Sequence, residues 1–348
     1  MNTETNQLKE RWETLLTEQP QLRIRNAAEV LQVSEAELLA TKLNNGVVKL
    51  RNEPKAILKV VENLGKVMAL TRNDNGVHER KGTYINPEIG ASPVGLFVGE
   101  DIDLRIFFMH WEYAFAVTEI ARGKERHSLQ FFGKDGMAIH KIYLTPKSNI
   151  SAFHELVNTF KAKHQVSKLI IEPFIKTNES IHDNEVDIVN FQKAWLALED
   201  THQFFGILKK YKVHRTQALR LAPSKHHALP IDKSKIVKLL ETVAAAHLPI
   251  MVFVGNRGNI QIHTGEIHKT LWHQNWFNVM DPDFNLHLNM DGIAESWIVR
   301  KPTADGVVTS IEVFDKTGEL IVQFFGKRKP GIPELSSWQD VVRDIEIS

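Results

Sequence analysis

The chain contains no cysteine. That one absence excludes disulfides, thiolate zinc sites, iron–sulfur clusters and a cysteine nucleophile, and it is compatible with a reducing compartment. A dominant charge sign is also missing: 43 Lys and Arg stand against 42 Asp and Glu, for a net charge of +1. No global field draws in nucleic acid, so electrostatic recognition has to come from local patches. No stretch reaches the roughly 20 apolar residues needed to cross a bilayer, and the opening MNTETNQLKERWETLL carries no apolar signal core. The expectation is a cytoplasmic protein without membrane insertion. HExxH and GxSxG are both missing. Gly255-Asn-Arg-Gly258 lacks the Lys-Ser/Thr that would complete a phosphate loop.

What the sequence does hold is a repeat. Sliding the chain by 182 residues places Asp101, Leu104, Val117, Ser128, Phe132, Lys134, Gly136 and Ile139 on Asp283, Leu286, Val299, Ser310, Phe314, Lys316, Gly318 and Ile321. Identities are sparse, but they include turn glycines and keep the hydrophobic phase, as a duplicated domain requires. QFFGK occurs at 130–134 and again at 323–327, but the two copies are out of register with the repeat and fall on opposite arms of equivalent hairpins. Each half opens with helical spacing, over residues 8–16 and 27–39 in the first and 191–208 in the second. Strand-like runs follow at 67–71, 104–117, 250–254 and 296–300. Hairpin turns come at 133–136 and 315–318, and closing helices at 150–161 and 333–345. The polar, acidic segment 176–187 reads as the linker. The expected fold class is α+β, a tandem repeat of two halves spanning 1–178 and 186–348, each a large antiparallel sheet flanked by helices.

Sixteen histidines make imidazole–metal chemistry the first possibility to examine. The sharpest candidate is His202. On a helix, Phe205 and Gly206 follow it by three and four residues and share its face. Imidazole is an axial ligand of heme iron, a flat macrocycle needs a small residue one turn away, and Phe205 offers an aromatic surface. The competing reading is an ordinary histidine beside a helix-packing glycine. Downstream, residues 209–227 hold six Lys or Arg, three His and no acid, a patch suited to carboxylates or phosphates. With Tyr211 as its only aromatic, it is poorly suited to stacking single-stranded nucleic acid. His263-x4-His268-x4-His273 shows no common face, and His226-His227 cannot easily point one way.

These residues resemble the HemS/ChuS/ShuS family of bacterial heme-trafficking and heme-degrading proteins over nearly the whole chain. The resemblance rests on Leu70-Thr-Arg-Asn73 with Val77-His-Glu79, Asp103-Leu-Arg-Ile-Phe107, Asp200-Thr-His-Gln-Phe-Phe205, Arg215 with Ala218-Leu-Arg220, and Val322-Gln-Phe-Phe-Gly-Lys-Arg328. It implies heme b in a cleft between the halves, with His202 as proximal iron ligand and Arg105 as the distal arginine. It further implies Phe107 and Phe205 as pocket aromatics, Arg215 near the propionates, and Arg300, Gln323, Phe325 and Arg328 at the pocket edge. Phe325 stands where the family often has tyrosine, which removes a hydroxyl, and Arg300 stands where lysine is expected. Arg105, Phe107, Met109 and Trp111 read as one face of a single strand. His78 stays open as a second heme contact, with a surface histidine as the plainer reading.

The implied activity is reductant- and oxygen-dependent opening of the porphyrin to release iron, catalysed around Arg105 and His202 with an external electron donor. The alternative is a chaperone that hands on intact heme. Implied partners are an inner-membrane heme ABC transporter as donor and a reductase or heme acceptor; nucleic acid is disfavoured.

Overall fold

The computed structural model describes residues 3–121, 123–175, 180–329 and 331–347. Its strands form two nine-stranded antiparallel sheets, flanked by helices. Two compact units divide the chain: Met1–Thr71, Glu79–Ile175 and Asn256–Gln261 make one, and Arg72–His78, Lys176–Gly255 and Ile262–Ser348 make the other.

In the first unit, neighbouring strands run Val47–Leu50, Tyr113–Ala121, Lys124–Phe132, Ala138–Ser148 and Gly65–Arg72. In the second the order recurs as Ala228–Ile231, Glu295–Thr303, Gly306–Phe314, Leu320–Gly326 and Ile250–Asn256. Tyr113, Lys124 and Ala138 open strands that correspond to those opened by Glu295, Gly306 and Leu320, an offset of 182 each time. Gln130 lies on a first hairpin arm and Gln323 on a second, so the two QFFGK segments are not equivalent.

Alternation sets the two faces of each sheet. In the second unit Ile298, Ile311, Val313, Val322, Phe324 and Val252 pack under helices Ser234–Ala245 and Ser336–Ile347. The other face carries Trp297, Val299 and Phe314 under the helices of residues 188–220. The closing helix of the first unit, Ile150–Phe160, starts where the Asn149 side chain accepts from the Ala152 N–H at 3.1 Å, and it buries Phe153, Leu156 and Phe160.

Three expected elements prove to be broken. Residues 27–39 are two helices, Ile24–Leu31 and Glu35–Ala40, parted by Gln32 at φ 56° and restarted by a Ser34/Glu37 capping box. Residues 191–208 are likewise two, Ile188–Leu196 and Gln203–Tyr211. Residues 104–117 are strands Asp103–Phe107 and Tyr113–Ala121 with the 3-10 turn Phe108–His110 between them. Arg105 and Phe107 therefore share a half-exposed face, but Met109 sits in the turn. Trp111 is buried, its indole N–H donating to the Gly258 carbonyl at 2.8 Å. The second closing helix begins at Ser336, three residues past Pro333. Of the linker segment, residues 176–179 lie outside the described residues, as does the domain boundary at 178, while Asp183–Glu185 forms a 3-10 turn.

A candidate ligand surface around His202

Helix Ile188–Leu196 ends at Ala197, and after five intervening residues the chain re-enters a helix at Gln203. The intervening turn is held by its own side chains. Gln203 Oε1 accepts from the N–H groups of Glu199 and Asp200 at 3.0 and 3.3 Å. Asp200 Oδ1 accepts from the His202 N–H at 2.7 Å and contacts His202 Nδ1 at 2.6 Å. The His202 backbone N–H is the main influence lowering the Asp200 carboxyl below its ordinary value, with Arg328 adding a smaller electrostatic contribution. A carboxylate only accepts, so neutral His202 places its proton on Nδ1 and presents the Nε2 lone pair outward. The His202 side chain is 92% exposed. An imidazole oriented by a carboxylate at one nitrogen and open at the other is the usual preparation of a metal-binding histidine.

The helix that follows is two-faced. Phe204 is buried, edge-on to Trp195 at 4.6 Å, and Leu208 is buried with it. On the outer side Phe205 is 73% exposed, and a Cβ built on Gly206 would meet nothing within 4 Å. A glycine inside a helix costs about 1 kcal/mol relative to alanine, and no neighbour among the described residues requires this one. An exposed imidazole, an exposed phenyl and a bare patch of backbone form a surface suited to a flat apolar ligand with a metal at its centre. Lys209 and Lys210, in the last turn of the same helix and both exposed, add two cations.

Beneath the helix lies a buried charge cluster. Glu312 is fully buried; Arg215 Nε and Nη2 donate to its carboxylate at 2.7 and 2.8 Å, and Lys301 Nζ donates at 2.8 Å. Burial alone would raise the Glu312 carboxyl, but the two cations outweigh it and hold the group far below the usual carboxylate range. Both cations also sit over the Phe204 ring, at 4.6 Å for Lys301 and 5.7 Å for Arg215.

The remaining sequence candidates divide. Gln323 and Phe325 lie two apart on a half-exposed strand face, with the Phe325 ring 5.1 Å from Phe253. Arg328 faces Asp305 at 3.6 Å and acts on Asp200. Arg215 is not a loose cation, because its guanidinium is committed to Glu312. Arg300 points to the strand face opposite Lys301, donating to Glu346 at 2.6 Å and to the His226 carbonyl at 3.1 Å; Lys301 occupies the face toward Phe204. In the other unit, Arg105 is ion-paired with Asp103, whose carboxyl burial pushes up against the opposing pull of the arginine. Phe107 donates its backbone N–H to the Gly258 carbonyl at 2.9 Å. His78 is not on the surface: it is fully buried, 5.0 Å from the Phe284 ring.

The chain matches the family model described as the haemin-degrading HemS.ChuX domain twice, over residues 32–160 and 212–345. The chain belongs to the HemS/ChuX family. The two matched segments cover the two runs of five strands, so the family domain and the internal repeat coincide. Among HemS/ChuX relatives, the chain is 39% identical to the hemin transport protein HemS of Yersinia enterocolitica, over 91% of each chain. It is similar to holo-PhuS, a heme-binding protein from Pseudomonas aeruginosa, at 45% identity and a TM-score of 0.94 over 97% of each chain. It is also similar to ChuS, an E. coli heme oxygenase, at 32% identity and a TM-score of 0.87 over 97% of this chain and 99% of that one.

Proposed function

We propose that the protein binds heme through His202 Nε2 and supports oxidative opening of the ring, with heme as substrate. The observation that carries this reading is the state of His202: anchored at Nδ1 by Asp200, open at Nε2, and flanked by exposed Phe205 and bare Gly206. Relatives named for heme binding and heme oxygenation support it.

Each of this chain's residues takes a part. Asp200 fixes the imidazole tautomer and raises its basicity as a ligand. Phe205 supplies a stacking surface, and Gly206 removes the side chain that would hold a flat ring off the helix. The Arg215–Glu312–Lys301 cluster stiffens the bed under Phe204. Lys209, Lys210 and Arg328 are the cations assigned to the propionates, beside Gln323 and Phe325 at the rim. Arg105 and Phe107 are assigned to the distal side. Bound heme supplies the redox-active iron and the oxidisable ring, and the protein supplies position and electrostatics. We place this work in the cytoplasm, within a chain of two repeats, 1–178 and 186–348. An inner-membrane heme transporter would act as donor, and an external reductase would supply electrons.

The alternative reading, transfer of intact heme to an acceptor, draws on the relative named as a transport protein. Hemin-loaded protein given a reductant in air, with catalase present, separates the two. Decay of the Soret band with iron captured by a ferrous chelator is the expected result. A stable reduced complex that passes its heme to an acceptor overturns the degradative reading in favour of the chaperone.

A further inference from the structure

We infer that His247, Glu266 and His268 form a binding site for a divalent first-row transition metal, independent of the His202 surface. Their ligand-capable atoms all lie within 4.8 Å of one another. His247 Nδ1 stands 3.3 Å from Glu266 Oε2, and the two imidazole rings are 5.5 Å apart between centroids. A tetrahedron of metal–ligand bonds near 2.1 Å has edges of about 3.4 Å, so one edge is already formed. Side-chain rotation alone can draw in the third ligand, since all three groups are exposed. An ordinary His–Glu ion pair accounts for the first contact. It does not account for the second imidazole beside it.

The backbone prepares this convergence. Helix Ser234–Ala245 ends through Ala246, and His247 takes the left-handed conformation, φ 50°, that glycine or asparagine usually fills after a helix. The Leu248 N–H then returns to the Val243 carbonyl at 3.0 Å, and Leu248 anchors in the core. From the other side, Glu266 and His268 flank Ile267, which is completely buried in the same core. Glu266 and His268 are both exposed on either side of it, so burying Ile267 leaves the two side chains facing outward. The following turn is pinned by Asp281, whose carboxylate accepts from the N–H groups of His268 and Lys269 at 3.0 and 2.9 Å.

Two imidazoles and a carboxylate suit zinc, iron(II), cobalt, nickel or copper(II) rather than magnesium or calcium. Three protein ligands leave open coordination positions, as in exchangeable rather than purely structural sites.

The test is a Co²⁺ titration of the chelator-treated, heme-free full chain near neutral pH, followed by visible d–d absorption and calorimetry. The expected result is saturation at a single equivalent. His268→Ala, Glu266→Gln and His247→Asn should each weaken binding by roughly 10–100-fold or more, whereas His226→Ala leaves it unchanged. Asparagine tolerates the left-handed backbone at 247, and all three positions are exposed, so metal-free melting temperatures should match the wild type. Binding by the triple variant with wild-type affinity, or no saturable binding by the wild type, overturns the site. Neither result depends on heme.

Discussion

The two halves of the chain build the same helical corner and dress it differently. In each, a helix ends on a left-handed residue, Gln32 at φ 56° or Lys212 at φ 53°. Two residues on, a capping box opens the next helix, Ser34/Glu37 or His214/Gln217. Both capping residues pack against a hairpin-turn glycine of positive φ, Gly136 or Gly318, where an added Cβ would fall 2.2 or 2.7 Å from its neighbour. The first helical residue after each cap makes a buried ion pair with the sheet, but with inverted sign: Glu35 to Lys141 in the first half, Arg215 to Glu312 in the second. Ten residues before the left-handed position stands Leu22 in one half and His202 in the other, and Arg25 and Asn26 occupy the places of Phe205 and Gly206. Backbone devices thus hold the shared fold, while a handful of outward side chains set apart the half that carries the proposed ligand surface.

The largest effect on stability should come from the charge clusters. Glu312→Gln strands the buried Lys301 and the half-buried Arg215 and should cost about 3–5 kcal/mol. Glu35→Gln strands Lys141 alone and should cost less. Urea denaturation of both variants measures the gap, and equal losses would show that Lys301 contributes nothing to the cluster. A smaller effect, of opposite sign, separates stability from ligand binding at Gly206. Gly206→Leu should raise helix stability by up to about 1 kcal/mol because the site has open space, yet weaken hemin binding. Unchanged affinity would remove Gly206 from the proposed surface.

A third effect shows itself only in acid. His140 is buried among Thr71, Tyr84 and Asn259, and loss of solvation lowers it from 6.5 to about 3. The unfolded chain binds the proton first, so stability is complete above the unfolded value and falls as pH drops from about 6.5 toward 3. Val322 is the counterpart in the second half under the 182 offset, so this slope originates in the first. His140→Gln should flatten the acid limb of the melting temperature against pH; an unaltered slope would assign it elsewhere.

The repeat was legible in the sequence because turn glycines and hydrophobic phase survive when identities do not. His202, Phe205 and Gly206 were legible because one helical turn joins them. The break before His202 was marked by Asp200 and Thr201, both helix-capping residues, but the apolar spacing on either side masked it. Glu312 escaped notice because its partners lie 97 and 11 residues away and only strand pairing and helix packing bring them together. For the same reason Arg215 looked like a free cation, and Arg300 rather than Lys301 drew attention. The His247–Glu266–His268 cluster was hidden by the core residues Leu248 and Ile267, whose burial aims its side chains.

The most direct test of the central claim is the Soret spectrum of hemin bound to His202→Gly, before and after added imidazole. The account predicts a displaced band and weakened binding in the variant, with the wild-type spectrum restored by imidazole occupying the vacated position. A variant that binds hemin with the wild-type spectrum and affinity would contradict it.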